Sequence, residues 1–217
     1  MRTLSSQLLC VLLIALAVGY ALWLYPHLPE RVPTHWNAAG QVDGWGPRGT
    51  AAFVTPAMMA GFWLLLLVLP LISPRRFKVE GFRDTWNLVI MLVTAMFAFI
   101  HVVMLQAALH PGVDVGRLLI GGLCLFLAAL GLLMPRVGRN FWMGIRTPWT
   151  LASETVWTAT HHVAGWTMGV GGVLGALLAL VGVPPLFAFT LVIVSAIYPA
   201  FYSLWLYKWL EREGKLE

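Results

Sequence analysis

The chain reads as six long apolar runs separated by polar stretches. The runs cover about 4–25, 51–72, 86–108, 115–134, 163–182 and 185–207, and none carries Asp, Glu, Lys or Arg in its central part. A helix crosses a hydrocarbon core about 30 Å thick with roughly 20 apolar residues. Lipid offers no partner to backbone N–H and C=O groups, so runs of this kind span as helices. A β-barrel would show shorter segments alternating in and out, and that alternation is absent. The pattern predicts an all-α integral membrane bundle of six transmembrane helices.

Two polar stretches are long, residues 26–50 and 136–162, while the remaining connections are short. Long loops in a compact protein are usually functional or disordered. Each of these holds several Trp, which favours order because buried indoles offset the entropy of fixing the chain. In the first, Pro29 and Pro33 bias Leu28 and Val32 towards extended backbone. The expectation is a strand over 32–36, a turn over Asn37–Gly40, a return through Gln41–Val42 and a second tight turn at Asp43-Gly44. That makes a small ordered outer loop, a Trp-bearing hairpin capping the bundle.

In the second stretch, Thr147-Pro148 ends any extended run after Arg146. Thr150 or Ser153 is placed to cap a helix, with Glu154 in a first turn where the helix dipole favours an anion. From Ser153 onward, Glu154, Trp157, Thr158, His161 and Gly165 recur at helical spacing and share one face. Val156 and Val163 fall on another part of the surface. This predicts a cytoplasmic interfacial helix leading into the fifth span. Arg146 is expected to pair with Glu154, shielded by Trp149 and Trp157.

Composition agrees and narrows the class. The chain is 59% hydrophobic and only 11% charged, against about 25% charged for a soluble domain. Too little charge is present to cover a water-facing exterior, and too much apolar sequence for disorder. The eleven Trp suit the bilayer interface. The first run has features of a signal peptide in Arg2, Ala15 and Ala17, but apolar sequence continues through Gly19, Tyr20 and Trp23, so an uncleaved anchor is expected.

The net charge of +5 divides unevenly. Eleven of the fourteen Lys and Arg fall on the side of the spans that holds both termini, and only Arg31, Arg48 and Arg117 fall on the other. Excess Lys and Arg mark cytoplasmic loops, which places both termini and residues 136–162 in the cytoplasm and 26–50 outside. The basic loops thereby read as topology signals, and no direct nucleic-acid contact is expected. The chain divides into an N-terminal three-span domain, 1–110, and a second three-span domain, 111–217.

Candidate chemistry is sparse. His27, His35 and His110 lie on the outer side with Glu30, Asp43 and Asp114, but in no ligand spacing, so no metal is expected. His101 lies within the third span, where an ionisable residue is a functional candidate unless a facing helix satisfies it. With Pro56 and Pro199 it supports an alternative reading as a transporter or channel, although no mid-membrane acid supports proton coupling. His161-His162 near Glu154 raises a metal-dependent hydrolase. Adjacent helical residues point about 100° apart and chelate one ion poorly, and Ser153 lacks a nucleophile-elbow context. No Walker or dinucleotide pattern occurs. No catalytic residue and no cofactor are assigned. Cys10 and Cys124 sit inside spans and predict no disulfide. Gly165-xxx-Gly169 and Gly171-xxx-Gly175 permit close helix approach, within one chain or in a homo-oligomer.

The run Gly144-Ile145-Arg146-Thr147-Pro148-Trp149-Thr150-Leu151, followed by Ser153-Glu154, Val156-Trp157, Thr160-His161 and Gly165, resembles the SdpI family. The outer Leu28-Pro29, Val32-Pro33, His35-Trp36-Asn37, Gly40 and Val42-Asp43-Gly44 is similar to the domain of unknown function often attached at the N-terminus of those proteins. The resemblance implies a bacterial inner-membrane protein, surrounded by lipid. The best-known member gives immunity to a secreted, membrane-active peptide toxin and draws a transcriptional repressor to the membrane when toxin is bound. The implied partners are a peptide toxin outside and a cytoplasmic repressor protein.

The implied binding residues are Pro33, His35, Trp36, Asn37, Gly40, Asp43 and Gly44 outside. Inside they are Gly144, Arg146, Thr147, Pro148, Trp149, Ser153, Glu154, Trp157 and His161. His162 departs from the family pattern, which has Arg or Lys after the histidine, so one fixed charge towards a cytoplasmic partner is missing.

Overall fold

A computed structural model describes residues 3–37, 41–74 and 77–216. Gly40 of the outer loop, and Arg2, Arg75 and Arg76 of the charge pattern, lie outside the described residues. Six helices are long and apolar enough to cross a membrane. They are α1 (Thr3–Leu24), α2 (Arg48–Val68), α3 (Arg83–Leu109), α4 (Val115–Leu133), α6 (Glu154–Leu180) and α7 (Pro185–Arg212). Between α4 and α6 stands the five-residue α5 (Pro148–Ala152). The spans α1, α2 and α4 end alike, in a 3₁₀ turn with Pro26, Pro70 or Pro135 near its start. Proline lacks the N–H that the α-helical ladder needs and so ends it. Pro56 and Pro199 lie inside α2 and α7 without ending them.

Large apolar side chains point outward, among them Leu132 at 72% exposure, Leu180 at 75% and Trp166 at 76%. A water-soluble surface does not carry this much apolar area, whereas lipid covers it. Inside, α4, α6 and α7 pack as one group and α1, α2 and α3 as another, joined where α3 meets α4.

Small residues set the closest contact. A Cβ on Gly131 would sit 2.7 Å from the Gly169 nitrogen, and one on Gly172 would sit 2.5 Å from the Cys124 oxygen. Gly171 closes on the Ser195 side chain of α7, and Gly175 on the Cys124 side chain of α4 and, less tightly, on Val192 of α7. The glycine motifs of the fifth span thus serve packing inside the chain. Gly131→Ala and Gly172→Ala are each expected to destabilise the protein by about 1–3 kcal/mol, because the added carbon meets backbone that cannot step aside. Gly169→Ala should be close to neutral, since a Cβ there meets nothing within 4 Å. Unfolding in detergent micelles checks this, and equal effects at all three positions would refute it.

At the opposite end from the termini, β1 (Arg31–Trp36) pairs antiparallel with β2 (Val42–Pro47). The register sets Arg31 against Pro47, Pro33 against Trp45 and Trp36 against Val42, with irregularities on both sides of His35. The Asn37 N–H donates to the Gln41 carbonyl at 2.9 Å, and the Gln41 N–H donates to Asn37 Oδ1 at 3.0 Å, which closes the turn. Asp43-Gly44 is not the second turn that its residue types suggest. Both lie inside β2, where the extra residue is taken up as a bulge opposite His35. Glycine is needed there, because a Cβ on Gly44 would lie 2.7 Å from the His35 Cβ.

The hairpin is seated on the bundle. Val32 is fully buried among Ala21, Leu24, Leu28, Ala51, Ala52 and Leu105, and Trp36 packs on Val103, Ala107 and Val115. Trp45 stays 52% exposed.

Candidate functional site

The polar residues singled out in the long second loop come together at the end of the bundle that carries both termini. After α4 the chain turns around Asn140, which is fully buried. Its Oδ1 accepts from the N–H groups of Trp142 and Met143 at 2.7 and 2.8 Å, and its Nδ2 donates to the carbonyls of Gly138 and Met143. One side chain thereby satisfies most of a turn that has no regular structure of its own.

The loop then passes over His161. Gly144 holds φ at +103°, a backbone region essentially reserved for glycine, and a Cβ there would overlap His161 Nε2. The Ile145 N–H donates to that Nε2 at 3.1 Å, while Nδ1 lies 2.8 Å from the Trp157 carbonyl and donates to it. Opposite partners on the two nitrogens fix the neutral, Nδ1-protonated tautomer. A proton on Nε2 would set two N–H donors against each other.

The ring stacks on Trp157 with centroids 4.1 Å apart and planes 19° apart. The Trp157 indole N–H donates to the Val137 carbonyl at 2.8 Å. Two residues one turn apart on α6 therefore fasten both the start and the end of the loop.

A third tie runs to α7. Thr147 caps α5 in a reciprocal box with Thr150, and Thr147 Oγ1 lies 2.9 Å from Ser203 Oγ. Ser203 Oγ is also within reach of the Ala200 carbonyl, and Thr147 Oγ1 of Thr150 Oγ1 at 3.3 Å, so the four groups share one hydroxyl network. Thr150 donates to the Ile145 carbonyl at 2.7 Å. Ser153 Oγ accepts from the Val156 N–H and starts α6. The residues from Glu154 onward are the first turns of the span itself, and the short separate helix at this level is α5.

Two expectations about this region are corrected. Glu154 pairs with Arg139, Nε to Oε2 at 2.9 Å, and not with Arg146. The turn held by Asn140 returns Arg139 to the start of α6, where it also donates to the Leu151 carbonyl, while α5 intervenes between Arg146 and Glu154. Arg146 is exposed, and its Nη1 donates to the Phe141 carbonyl at 2.7 Å. The helical face is also divided differently. Trp157 and His161 are buried, Glu154 and Thr158 are exposed, and Val156 is fully buried against Leu206 and Leu210 of α7. Trp149 packs half-buried in that same cluster, and Pro148 opens α5 on the surface.

The hairpin set stays apart from this one, at the other end of the bundle. His35 Nδ1 pairs with Asp43 Oδ1 on the hairpin surface, Pro33 is buried, and Trp36 and Asn37 stand where the hairpin meets α4. His101 joins neither set. It is fully buried, and Nε2 faces the Ala17 carbonyl of α1 at 3.1 Å. The Tyr20 ring meets it edge-on, and Gln106 Nε2 donates to the Tyr20 hydroxyl. His101 so arranged holds α3 on α1. Among the described residues, no three His, Cys, Asp or Glu side chains gather as metal ligands.

Asn140, Thr150 and Ser203 carry the site as much as the residues singled out from the sequence. Asn140 stands two residues after Gly138 in a loop, and both residue types are turn signals. Thr150 stands three residues after Thr147, at capping-box spacing. Ser203 gives no local signal, because its partner arrives from another helix.

A six-span membrane bundle, with a seated hairpin at one end and a loop fastened to two helices at the other, defines the class of this protein. Residues 136–203 match the model of the SdpI/YfhL protein family, and residues 12–60 match DUF1648, a domain of unknown function. The chain is thus a multi-pass membrane protein that carries a segment similar to the SdpI/YfhL family and, ahead of it, a segment similar to DUF1648. It is similar to Immunity protein SdpI of Bacillus subtilis (strain 168), with 26% identity over 176 residues, which cover 81% of this chain and 82% of that protein. No solved structure matches.

Proposed function

We propose that this protein gives immunity to, or senses, a membrane-active peptide toxin that meets the hairpin end of the bundle. The likeness to an immunity protein supports the reading. The observation that carries it is the loop between α4 and α6, fastened at Val137, Ile145 and Thr147, which falls within the matched family segment and whose ties depend on Gly144, Thr147, Trp157 and His161. The basic excess at the terminal end supports a cytoplasmic location for both termini, in a bacterial inner membrane. The two packing groups support units at 1–110 and 111–217.

Peptide binding at the outer residues Pro33, His35, Trp36, Asn37, Gly40, Asp43 and Gly44 has a path to the loop. Trp36 rests on Val115 at the start of α4, Gly131 of α4 lies on Gly169 of α6, and Pro135 lies on Gly165. A shift of α4 along α6 reaches Val137 and hence the loop. Of the inner residues singled out from the sequence, Arg146, Pro148 and Glu154 are exposed and available to a cytoplasmic repressor protein.

The test is expression of the full chain in cells killed by a secreted membrane-active peptide. Survival is expected to rise at least about tenfold, a difference of about 1.4 kcal/mol if read as an equilibrium, and Gly144→Ala is expected to abolish the gain. Killing that is unchanged across a panel of such peptides would end the proposal.

A further inference from the structure

The terminal end of the bundle carries cations that the fold leaves unneutralised. Among the described residues there, Glu80 pairs with Arg83, Glu154 with Arg139, Glu211 with Lys208 and Glu213 with Lys215. Lys78 and Arg146 are exposed, and neither has a carboxylate within 4 Å among the described residues. They belong to different loops, each next to one ring of an aromatic pair, and the paired Arg139 already lies over the Phe77 ring, 6.0 Å from its centroid. Phe77, beside Lys78, lies with its ring centroid 5.7 Å from that of Phe141. Arg146 donates to the Phe141 carbonyl. That bond uses one of five guanidinium donors and leaves the rest of the fork for an anion. Phe141 is 46% exposed.

The level of this patch follows from its neighbours. Leu71 and Ile72, at the end of the α2 span, are 81% and 62% exposed, and Leu132 near the end of α4 is similarly bare. These residues mark the apolar collar at the ends of two spans, and Phe77 and Phe141 come after them in the loops that leave those spans. Rings next to the collar, with cations beside them, match the order of groups in a phospholipid. The phosphate meets Lys and Arg, while the glycerol and first methylenes meet the rings. A small inorganic anion would have no use for the aromatic pair.

We infer that the Phe77–Phe141 pair, with Lys78 and Arg146, is a binding site for the headgroup of an anionic phospholipid, joining the α2–α3 loop to the fastened loop. This site goes beyond the immunity reading and does not depend on it, because no toxin enters its test.

The experiment places the full chain in nanodiscs of phosphatidylcholine with one-fifth phosphatidylglycerol (roughly the share that makes a leaflet anionic) and counts retained lipid by native mass spectrometry. The chain should retain phosphatidylglycerol over phosphatidylcholine. Lys78→Gln with Arg146→Gln should cut that preference on the order of tenfold or more, and Phe141→Ser should cut it less. Arg136→Gln with Arg212→Gln removes equal charge from the same end and should leave the preference intact. An equal loss in that control pair would mean diffuse attraction and overturn the site. So would competition by millimolar inorganic phosphate, which would mark a soluble-anion site. Failure to retain phosphatidylglycerol together with binding of hexaglutamate would reassign the patch to an acidic protein partner, which also overturns it.

Discussion

Gly144→Ala is expected to release the loop and to destabilise the protein by about 2–6 kcal/mol. Two separate effects add. A side chain at φ +103° is strained by roughly 1–3 kcal/mol. The new Cβ also displaces His161 Nε2 from the Ile145 N–H, and a buried hydrogen bond lost with its partners left unpaired is worth about 1–3 kcal/mol. The double variant Gly144→Ala with His161→Ala separates them, because the strain remains while the overlap disappears. The cost of the glycine change should therefore be smaller in the His161→Ala background, with a coupling of about 1–3 kcal/mol. Unfolding in detergent micelles measures the energies. Limited trypsin cleavage after Arg139 and Arg146 reports the release. Additive effects, or a loop as resistant as in the parent, would show that the close approach of Gly144 to His161 does not hold the loop.

Trp157 carries the second large effect. It is 1% exposed, stacks on His161 and holds the Val137 carbonyl. Trp157→Ala removes a large core side chain, at about 3–5 kcal/mol, and leaves that carbonyl without its donor. Trp157→Phe keeps much of the ring contact and loses the N–H, so about 1–3 kcal/mol is expected. Both values come from the same unfolding measurement. If Phe costs as much as Ala, the hydrogen bond to Val137 dominates and the stacking is incidental. If Phe is neutral, the bond contributes nothing.

These two residues also mark how far sequence reasoning reaches. The six spans are legible because lipid imposes a length and an apolarity on each, with little freedom for tertiary contacts to overrule them. The cap at Ser153 is legible because a capping side chain acts within three residues of itself, whereas α5 is capped by Thr147, with Thr150 as its partner and not the cap. The pairing of Glu154 was not legible. Arg146 has the nearer sequence position to Trp149 and Trp157, but the chain path through Asn140 and the positive φ of Gly144 brings Arg139 to Glu154 instead. Burial of Val156 was missed for a related reason. Helical periodicity assigns one inward face, whereas α7 extends to Arg212 and covers a second face of α6. In the hairpin, Asp43-Gly44 has turn chemistry, yet strand pairing continues past it because the bulge opposite His35 absorbs the extra residue. In each case the deciding contact comes from a segment distant in sequence.

The glycine contacts between α4 and α6 have a mechanical consequence. Where side chains interlock as ridges in grooves, two helices resist both separation and sliding. Where backbone rests directly on backbone, as Gly131 does on Gly169 and Gly172 on Cys124, short-range attraction still resists separation, but few protruding groups block travel along the axis. The α4–α6 contact therefore works as a slide bearing, stiff across its width and yielding along its length.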